Sequence, residues 1–313
     1  MNRIAPSKSA VWLAALLAAV TLSTAAETFR VAAYNVENYL DQVTESRHET
    51  KSDAAKAKVR ESILAMKPDV IAFEEMGALS ALLELRDSLK KAGLDLPHYE
   101  HITGWDTNIH LSVLSKFSIV ARRSHTNDSF LLGGKRFNVG RGFTEVDLKV
   151  NDHYTFTLLG AHLKSKRTVP GADEADLRLE EAKLLREKVD ALLAAKPDAN
   201  LVVLGDFNDG YNSKSTKAVV GPRGKKQLVD TRPAERNGDN QPHPTNPRYS
   251  PRNIAWTHYY GAEDSYSRID YILVSPGMAK ELVKDETYIP TIPNWGVGSD
   301  HRPLVATFEA TDK

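Results

Sequence analysis

The stretch L-V-V-L-G-D-F-N-D at Leu201–Asp209 decides the fold of this chain. Its first four residues are apolar and do not alternate with polar ones, which is typical of a short strand covered on both faces. A glycine ends the apolar run, and Asp206, Asn208 and Asp209 follow it closely. A buried strand that delivers carboxylates and an amide at its end is a common support for a polar site. The alternative is a strand followed by an Asx turn, because Asp and Asn favour turns.

Polar side chains also stand beside the ends of other predicted strands. They are Asn35 after Phe29–Tyr34, Glu75 after Asp69–Phe73, His162 after Tyr154–Ala161, and Asp300 with His301 before Leu304–Phe308. Polar groups at the ends of adjacent strands converge on one end of a sheet, where functional sites form. Strands and helices mix without strict βαβ alternation, which favours mixed sheets with helices outside.

Helices are predicted where apolar residues recur at helical spacing. The clearest are Asp53–Met66, a second helix that ends at Gly93, and Ala172–Ala195, which is the longest. Two segments are predicted to be loops. Ser124–Lys135 is polar and contains glycine, and Gly221–Asn253 is long and lacks periodicity.

Residues 1–26 are predicted to be a secretory signal peptide. Arg3 and Lys8 precede the apolar run Ala10–Leu22, and small residues up to Ala26 follow it, as they do at a cleavage site. The run is too short for a membrane span, although a retained N-terminal anchor is the alternative. We expect cleavage near Ala26, a secreted or periplasmic location, and one mature domain of residues 27–313 without a transmembrane segment.

Composition argues against some classes of function. The chain has 313 residues with 41 basic and 41 acidic side chains, so loss of Arg3 and Lys8 with a leader that holds no acidic residue leaves a net charge of −2. The lack of a basic field argues against a processive nucleic-acid binder. Cysteine is absent, which excludes disulfides and thiol catalysis. We expect a monomer without a stable protein partner.

Oxygen ligands without cysteine suit Mg²⁺, Mn²⁺ or Ca²⁺ rather than structural zinc. Glu75 and Asp300 are the first ligand candidates, and solvated carboxylates are the alternative. His301 follows Asp300 directly and cannot face the same way in an extended backbone. We expect it to pair with Asp270, which lies in the apolar run Ile269–Val274, where an unpaired carboxylate is costly. The alternative for Asp270 is an edge-strand carboxylate in water.

Imidazole and cationic side chains complete a candidate phosphate site. His162 is a candidate second imidazole, with an ordinary structural histidine as the alternative. Arg141 lies between two glycines, which are expected to expose it for bidentate contact with a phosphate; an ordinary loop arginine is the alternative. A metal, an Asp–His pair and cations are the elements of phosphoester hydrolysis, because they neutralise the phosphate and take a proton from water. No G-x-S-x-G nucleophile motif is present.

Six motifs in order carry a resemblance to a known family. They are Y-N-V-E-N at Tyr34–Asn38, D-V-I-A-F-E-E at Asp69–Glu75, G-A-H-L-K-S-K at Gly160–Lys166, L-G-D-F-N-D at Leu204–Asp209, S-R-I-D-Y-I-L-V-S at Ser267–Ser275 and S-D-H-R-P at Ser299–Pro303. Together they resemble the endonuclease/exonuclease/phosphatase superfamily. That family includes pancreatic-type deoxyribonucleases, abasic-site endonucleases, inositol phosphatases and bacterial sphingomyelinases.

The resemblance implies a fold, a cofactor and a set of site residues. The fold is a four-layer α/β sandwich, with two mixed β-sheets packed face to face and helices outside. The cofactor is Mg²⁺, with Mn²⁺ or Ca²⁺ as alternatives. The implied roles are metal binding for Asn35, Glu75 and Asp300, orientation of water and phosphate for Asp206 and Asn208, phosphate contact as base or charge stabiliser for His301 paired with Asp270, and a second histidine at His162.

The chain departs from the family pattern at two places. Glu74-Glu75 stands where family members usually have Gln-Glu, which leaves the role of Glu74 open. The usual S-G-V-A step before L-S-K reads I-H-L-S here, which places His110 at an unexpected position.

Several basic and aromatic residues bear on the choice of substrate. Export, His162 and the pair Lys164 and Lys166 favour a nuclease, and we expect an endonuclease that acts on DNA or RNA. Basic and aromatic residues of a later loop are candidates for backbone contact and base stacking; they are Arg223–Lys226, Arg248, Arg252, Tyr249, Trp256, Tyr259 and Tyr260. A polar loop with aromatic anchors is the alternative.

Other activities stay open on the same fold. A phosphomonoesterase is one, and a sphingomyelinase-like phospholipase is another, although it would be expected to carry an exposed aromatic hairpin and none is identified. A calcineurin-like dimetal phosphoesterase is rejected, because G-D-x-x-D is present without the G-N-H and G-H-x-H segments. The alternative from another class is a catalytically silent exported binding module.

Overall fold

The computed structural model describes residues 27–235, 245–246 and 254–311. The predicted signal peptide, residues 1–26, lies outside the described residues, as do Arg248, Tyr249 and Arg252. None of the helices in the described part is long and apolar enough to span a membrane.

Strands supply most of the regular structure in the described residues. They are β1 (Thr28–Tyr39), β2 (Val70–Met76), β3 (His98–Ile102), β4 (His110–Ser115), β5 (Ser118–Arg122), β6 (Ser129–Leu132), β7 (Lys135–Asn138), β8 (Phe143–Lys149), β9 (Thr155–His162), β10 (Leu201–Asp206), β11 (Val229–Asp230), β12 (Ala234–Glu235), β13 (His258–Tyr260), β14 (Ser265–Ser267), β15 (Asp270–Val274), β16 (Tyr288–Ile289) and β17 (Leu304–Glu309). The α-helices are α1 (Asp53–Met66), α2 (Leu79–Lys91), α3 (Glu174–Ala195) and α4 (Lys214–Val220). Short 3₁₀ turns cover Met278–Lys280, Lys284–Glu286 and Trp295–Val297.

Two mixed sheets hold most of the strands. The first has the order β12-β16-β17-β1-β2-β4-β3, and the second has the order β11-β15-β10-β9-β8-β5. Each has one parallel pair near its centre, β1 with β2 and β9 with β10, between antiparallel neighbours. Two hairpins, β6–β7 and β13–β14, stand apart from the sheets.

Three apolar clusters show how the sheets and helices are layered. The inner cluster joins residues of both sheets, such as Val31 and Val202, with Phe29 and Phe156 stacked at 5.2 Å between ring centroids. A second cluster packs α3 and α4 on the outer face of the second sheet. The third packs α1 and α2 on the outer face of the first sheet. The molecule is a four-layer α/β sandwich, which confirms the fold expected from the motifs.

The helix boundaries follow from side-chain caps. The Ser52 hydroxyl accepts from the Ala55 amide at the start of α1, and Asp173 caps α3 in the same way; such caps satisfy amides that the first helical turn leaves without partners. α1 ends at Met66, and its C-cap Lys67 adopts a left-handed conformation before Pro68.

The prediction of a loop at Ser124–Lys135 is wrong, because part of it forms the hairpin β6–β7. Gly133 and Gly134, with φ of 57° and 77°, form the two-residue turn, and paired positive φ values suit the twist of a hairpin. Phe130 is buried and Leu131 is 62% exposed, so the strand alternates over too few residues for a sequence pattern to stand out. Helix α4 was also not predicted.

The topology explains why the polar residues converge. The parallel strands β9 and β10 both end at one edge of the second sheet, with His162 opposite Asp206. The antiparallel neighbour β15 begins at that same edge, which places Asp270 opposite Asp206 on the other side. β1 and β2 carry their polar ends to the same end of the sandwich, where Asn35 lies opposite Glu74.

Candidate active site

Asp206 lies at the centre of the site, at the end of β10 and only 1% exposed. Its Oδ2 accepts from the side-chain amide of Asn35 at 3.1 Å and from that of Asn208 at 3.3 Å. Its Oδ1 accepts from the Asn208 backbone amide at 2.8 Å. Burial, and then the charge of Asp270, raise the pKa of Asp206. A carboxylate with a raised pKa is a better proton acceptor near neutral pH.

Gly205 lets β10 deliver Asp206 at this position. Its φ is +127°, and a Cβ on it would lie 2.1 Å from the carbonyl oxygen of Ala161 and 2.8 Å from Oε1 of Glu74. A residue with a side chain is excluded here both by its backbone conformation and by the neighbouring strand.

Asp270 and His301 form a buried pair beside Asp206. Nδ1 of His301 is 2.9 Å from Oδ2 and 3.1 Å from Oδ1 of Asp270. Burial opposes the charged ring, but the carboxylates of Asp270 and Asp206 raise the pKa of His301 well above its ordinary value. Because Nδ1 faces Asp270, Nε2 faces the site, 3.8 Å from Oδ2 of Asp206. The Ser299 hydroxyl accepts from the His301 amide at 3.0 Å and donates to the Asn35 carbonyl at 2.7 Å.

The structure brings two of the three expected metal ligands together. Nδ2 of Asn35 is 3.5 Å from Oε1 of Glu75, whose Oε2 accepts from the Asn38 amide at 3.0 Å. The backbone is strained at Glu37, Asn38 and Glu75, where φ is 43°, 50° and 61°. Positive φ at non-glycine residues is uncommon and concentrates at functional sites.

Asp300, the third expected ligand, lies against histidines. Its Oδ2 is 3.6 Å from Nε2 of His258, and its Oδ1 is 3.8 Å from Nε2 of His301. Burial opposes its ionisation, yet the neighbouring imidazoles of His258 and His301 lower the pKa of Asp300. Among the described residues, ligand atoms lie within 4.8 Å of one another in two sets, His258–Asp300–His301 and Asp206–Asp270–His301.

Three residues of the acidic corner around Glu75 and Asp300 were not predicted from the sequence: Glu37, Lys51 and His258. The Lys51 ammonium donates to the Glu37 carbonyl at 2.7 Å, and its side chain is 6% exposed. Burial lowers the pKa of Lys51, while the charges of Glu37, Asp300 and Glu75 raise it. These residues form one charged cluster. The position of Glu37 inside the Y-N-V-E-N motif could have marked it as a site residue. Lys51 stands in a polar stretch, and nothing in that stretch marks it as a site residue.

His162 is buried beside Asp206, with Nε2 3.5 Å from Oδ2. Burial, followed by the positive charges of Arg141 and His301, lowers the pKa of His162 well below its ordinary value. Its Nδ1 has no hydrogen-bond partner within the described residues. The site therefore contains two imidazoles whose pKa values are shifted in opposite directions. The charged form of His301 is favoured, and so is the neutral form of His162.

Arg141 faces the site but is not exposed, in contrast to the expectation from its flanking glycines. Its side chain is 12% exposed, and its Nε, 3.5 Å from Oδ2 of Asp106, has no hydrogen bond within the described residues. Gly142 (φ +70°) turns the chain where a Cβ would lie 2.4 Å from the His125 carbonyl oxygen. The guanidinium is half-buried, and its Nε has no hydrogen bond although it lies in an ion pair with Asp106, which suits it to bind an anion.

The Lys164 ammonium is not free to meet a substrate in this conformation. It donates to the carbonyls of Ser165 at 2.9 Å and Arg167 at 2.6 Å. Lys164 could therefore contact the substrate only if it first broke these hydrogen bonds. Lys166 and Arg167, in contrast, are exposed in this conformation.

Helix α3 fixes the backbone beneath these cations. Glu181 accepts from the amides of Lys164 at 2.6 Å and Gly140 at 3.3 Å. Arg178 donates to the Lys164 carbonyl at 2.9 Å and to Oδ2 of Asp209 at 3.2 Å. We call Arg178 and Glu181 the α3 clamp. It ties the Arg141 turn, the Lys164 loop and the turn after β10 to one rigid helix.

Glu74 is buried under the site, and neither of its carboxyl oxygens has a hydrogen-bond partner within the described residues. Burial, then the charges of Asp270 and Asp206, raise its pKa well above the ordinary value. The neutral acid is favoured, and a neutral carboxyl resembles in shape the glutamine usual in the family. His110 lies away from Asp206, with its ring 4.9 Å from that of His101.

An exposed aromatic hairpin is present, although sequence analysis identified none. β13–β14 carries Tyr260, 49% exposed, and Tyr266, 56% exposed. The hairpin was missed because its two strands have three residues each, too few for a sequence pattern.

The fold and site define a four-layer α/β sandwich with a buried carboxylate–imidazole cluster at one end of its sheets. The chain belongs to the Endonuclease/Exonuclease/phosphatase family, whose model matches residues 32–301. Members of this family are hydrolases that act on phosphoric esters. A search of curated proteins found no match.

Solved structures show the same fold at low sequence identity. A family protein from Bacteroides thetaiotaomicron is 20% identical with a TM-score of 0.56, covering 90% of this chain and 97% of that chain. The human Nocturnin catalytic domain is 16% identical with a TM-score of 0.59, covering 91% and 95%. Sphingomyelinase C from Streptomyces griseocarneus is 17% identical with a TM-score of 0.57, covering 90% and 99%.

Proposed function

We propose that this protein is a divalent-metal-dependent phosphodiester hydrolase, an exported nuclease that acts on DNA or RNA. The observation that carries this proposal is the cluster around Asp206, in which a carboxylate with a raised pKa lies beside a charged His301 and a neutral His162. Hydrolysis of a phosphodiester needs a proton acceptor for water and positive charge at the phosphate.

The roles follow from charge and orientation. Asp206, held by Asn35 and Asn208, orients the attacking water and accepts its proton. His301, kept charged by Asp270, contacts the scissile phosphate through Nε2 and stabilises the charge that develops there. Of the two roles expected for His301, the raised pKa favours charge stabiliser over general base.

Asn35, Glu75 and Asp300 would hold the metal, for which we propose Mg²⁺, with Mn²⁺ or Ca²⁺ as alternatives. Their carboxylate and amide oxygens suit a hard cation, and strained backbone at Glu75 and Glu37 holds oxygen donors towards one corner. A bound divalent ion would polarise the phosphate oxygens and neutralise their charge.

Exposed cations on the Arg141 side support a polyanionic substrate. Lys135 and Arg136 of the β6–β7 hairpin and Lys166 and Arg167 of the neighbouring loop are all exposed. The Lys135 ammonium comes within 3.4 Å of where a Cβ of Gly171 would lie, so hairpin and loop are adjacent. We call these four residues the cationic rim. It supplies locally the phosphate attraction that the neutral overall charge does not.

The test of this function is a panel of substrates and metals. The purified protein is incubated with plasmid DNA, RNA, a phosphomonoester and sphingomyelin, each with Mg²⁺, Mn²⁺, Ca²⁺ or chelator. Metal-dependent cutting of nucleic acid is expected. Cleavage of only the phosphomonoester or only sphingomyelin would overturn the proposal that nucleic acid is the substrate. No turnover of any of these compounds would favour a binding module.

We also propose that the protein is exported as a monomer after cleavage near Ala26, which leaves residues 27–313 as one domain. N-terminal sequencing of the protein recovered outside the cytoplasm is expected to begin at or beside Glu27. A protein that keeps its first residues in the membrane fraction would contradict export by cleavage.

A further inference from the structure

An open groove adjoins the candidate active site at Glu37 and Asp300. Its volume is about 820 Å³. We call it the aromatic groove, and its main lining residues are Trp256, Tyr259, Tyr260, Tyr266 and Trp295, with Glu37 and Asp300 at the active-site end. Tyr260 and Tyr266 are exposed, and the other three rings are half-buried. A cluster of aromatic rings on the surface marks a binding site.

The rings form a fixed surface. Trp256 lies over the Arg302 guanidinium, whose central carbon is 4.1 Å from the ring centroid. Tyr266 meets Trp256 edge-on at 4.9 Å between centroids, and Trp295 lies 5.5 Å from Trp256. Because these rings hold one another, they offer stacking area at little cost in side-chain freedom.

The groove is continuous with the reaction site. Asp300 belongs to both, and its carbonyl accepts from the Tyr259 amide at 3.0 Å. The His258 ring lies between them, 4.6 Å from His301 and 6.5 Å from Tyr260 between centroids. A group attached to a phosphate at His301 therefore reaches the groove directly.

Charge decides what kind of group enters. None of the lining residues in the described part of the chain is cationic, and Glu37 and Asp300 are acidic. Glu263 and Asp264 add negative charge at the tip of the β13–β14 hairpin. Phosphates are repelled here and attracted to the cationic rim, whereas an uncharged planar group gains stacking. An acidic hairpin tip is also unsuited to an anionic membrane surface.

We propose that the aromatic groove stacks an unpaired nucleobase next to the scissile phosphate, so that the enzyme acts on single-stranded or frayed nucleic acid. This inference rests on the proposed nuclease function. A base inside a duplex is already stacked and paired and would have to leave the helix first, whereas an unpaired base enters without that cost.

The first experiment uses short single strands in which phosphorothioates protect every linkage but one. Single abasic residues are placed at successive positions around that linkage. Removal of one base on one side is expected to raise KM about tenfold, as loss of a stacked base does in other single-strand sites. The same strand paired to its complement is expected to be cut more slowly. Equal KM for all strands, with cleavage intact, would overturn the groove and leave the nuclease function standing.

The second experiment measures binding without turnover. In the full chain carrying Trp12→Phe, Trp105→Phe and His301→Ala, the two remaining tryptophans are Trp256 and Trp295. A single-stranded oligonucleotide is expected to quench their fluorescence, and an abasic strand much less.

Added Trp295→Ala or Tyr266→Ala is expected to raise the Kd about tenfold, while Val120→Ala, an exposed apolar residue on β5, leaves it unchanged. Quenching by tetramethylammonium but not by the oligonucleotide would overturn the nucleobase proposal and show that the groove binds a cationic headgroup instead. No cleavage of nucleic acid together with no quenching would overturn both the groove and the nuclease function.

Discussion

At the scale of single residues, the pairing of Asp270 with His301 has the clearest consequence. The charge of Asp270 helps to raise the pKa of His301, so His301 stays protonated at neutral pH and loses its proton only as the pH rises. Asp270→Asn removes that charge, and the alkaline limb of the activity profile is expected to move to lower pH. We also expect kcat to fall roughly a hundredfold or more.

The measurement is a pH–rate profile of wild type and variant on one phosphodiester. Asp147→Asn is the matched control, because Asp147 is also paired, at 2.6 Å with Arg123, but lies away from the site. An unshifted alkaline limb in Asp270→Asn would contradict the assigned charge state of His301.

Gly205 gives a second prediction at this scale, for stability. Gly205→Ala would place a Cβ against the Ala161 carbonyl in a backbone conformation that alanine avoids. We expect a loss of unfolding free energy of about 2–3 kcal/mol or more. Urea unfolding of Gly205→Ala and of the control Gly210→Ala, whose Cβ would meet nothing within 4 Å, tests this. Equal urea midpoints for the two variants would contradict this prediction, because they would show that β9 and β10 shift to accommodate the added Cβ.

At the scale of elements, the α3 clamp predicts an effect far from the reacting atoms. Glu181→Gln leaves one side-chain oxygen to accept from the backbone amides of Lys164 and Gly140. The new side-chain NH₂ group faces one of these donors, with which it cannot form a hydrogen bond. We expect a loss of about 1–3 kcal/mol in stability, as for a buried hydrogen bond left unmade. A rise in KM larger than the fall in kcat is also expected, since Arg141 and the Lys164 loop bind and do not react.

The matched control for the α3 clamp is Glu180, the residue that precedes Glu181 in the helix. Glu180→Gln changes a carboxylate paired at the surface with Lys183, and its kinetics are expected to match wild type. If Glu181→Gln lowered only stability, with KM unchanged, the clamp would be a structural feature without a positioning role.

The elements also show what sequence patterns can predict. α1 and α3 were predicted to within two residues because their caps and apolar spacing are local. The hairpins β6–β7 and β13–β14 were missed because three or four residues per strand carry too little periodicity. Arg178 and Glu181 were overlooked because a charged residue on the buried face of a helix has no meaning until its partners on distant loops are known.

At the scale of the whole molecule, the six ordered motifs predicted the four-layer sandwich, whereas composition and spacing alone favoured only mixed sheets with outer helices. The motifs also named the residues around Asp206. They could not show that Lys164 is bonded to its own loop, that Arg141 is half-buried, or that Lys51 and His258 join the acidic corner. The bonds of Lys164 depend on the conformation of its loop, and the other facts depend on packing between segments that are distant in sequence.

Charge distribution gives a prediction at the same scale. With Lys166→Ala and Arg167→Ala together, affinity for nucleic acid is expected to fall, and the slope of log K against log salt to decrease in magnitude by about 1–2. Lys91→Ala, an exposed lysine on α2, is the control. A parallel salt dependence in wild type and double variant would show that the cationic rim does not contact phosphate.

We expect the cluster of Asp206, Asp270 and His301 to hydrolyse a phosphodiester with a divalent metal. The most direct measurement is cleavage of a strand with one unprotected linkage in ¹⁸O-labelled water, by wild type and His301→Ala, with Mg²⁺ or chelator. We predict that the label enters the product phosphate only with wild type and metal. Cleavage that survives His301→Ala, or that gives no labelled phosphate, would contradict the account.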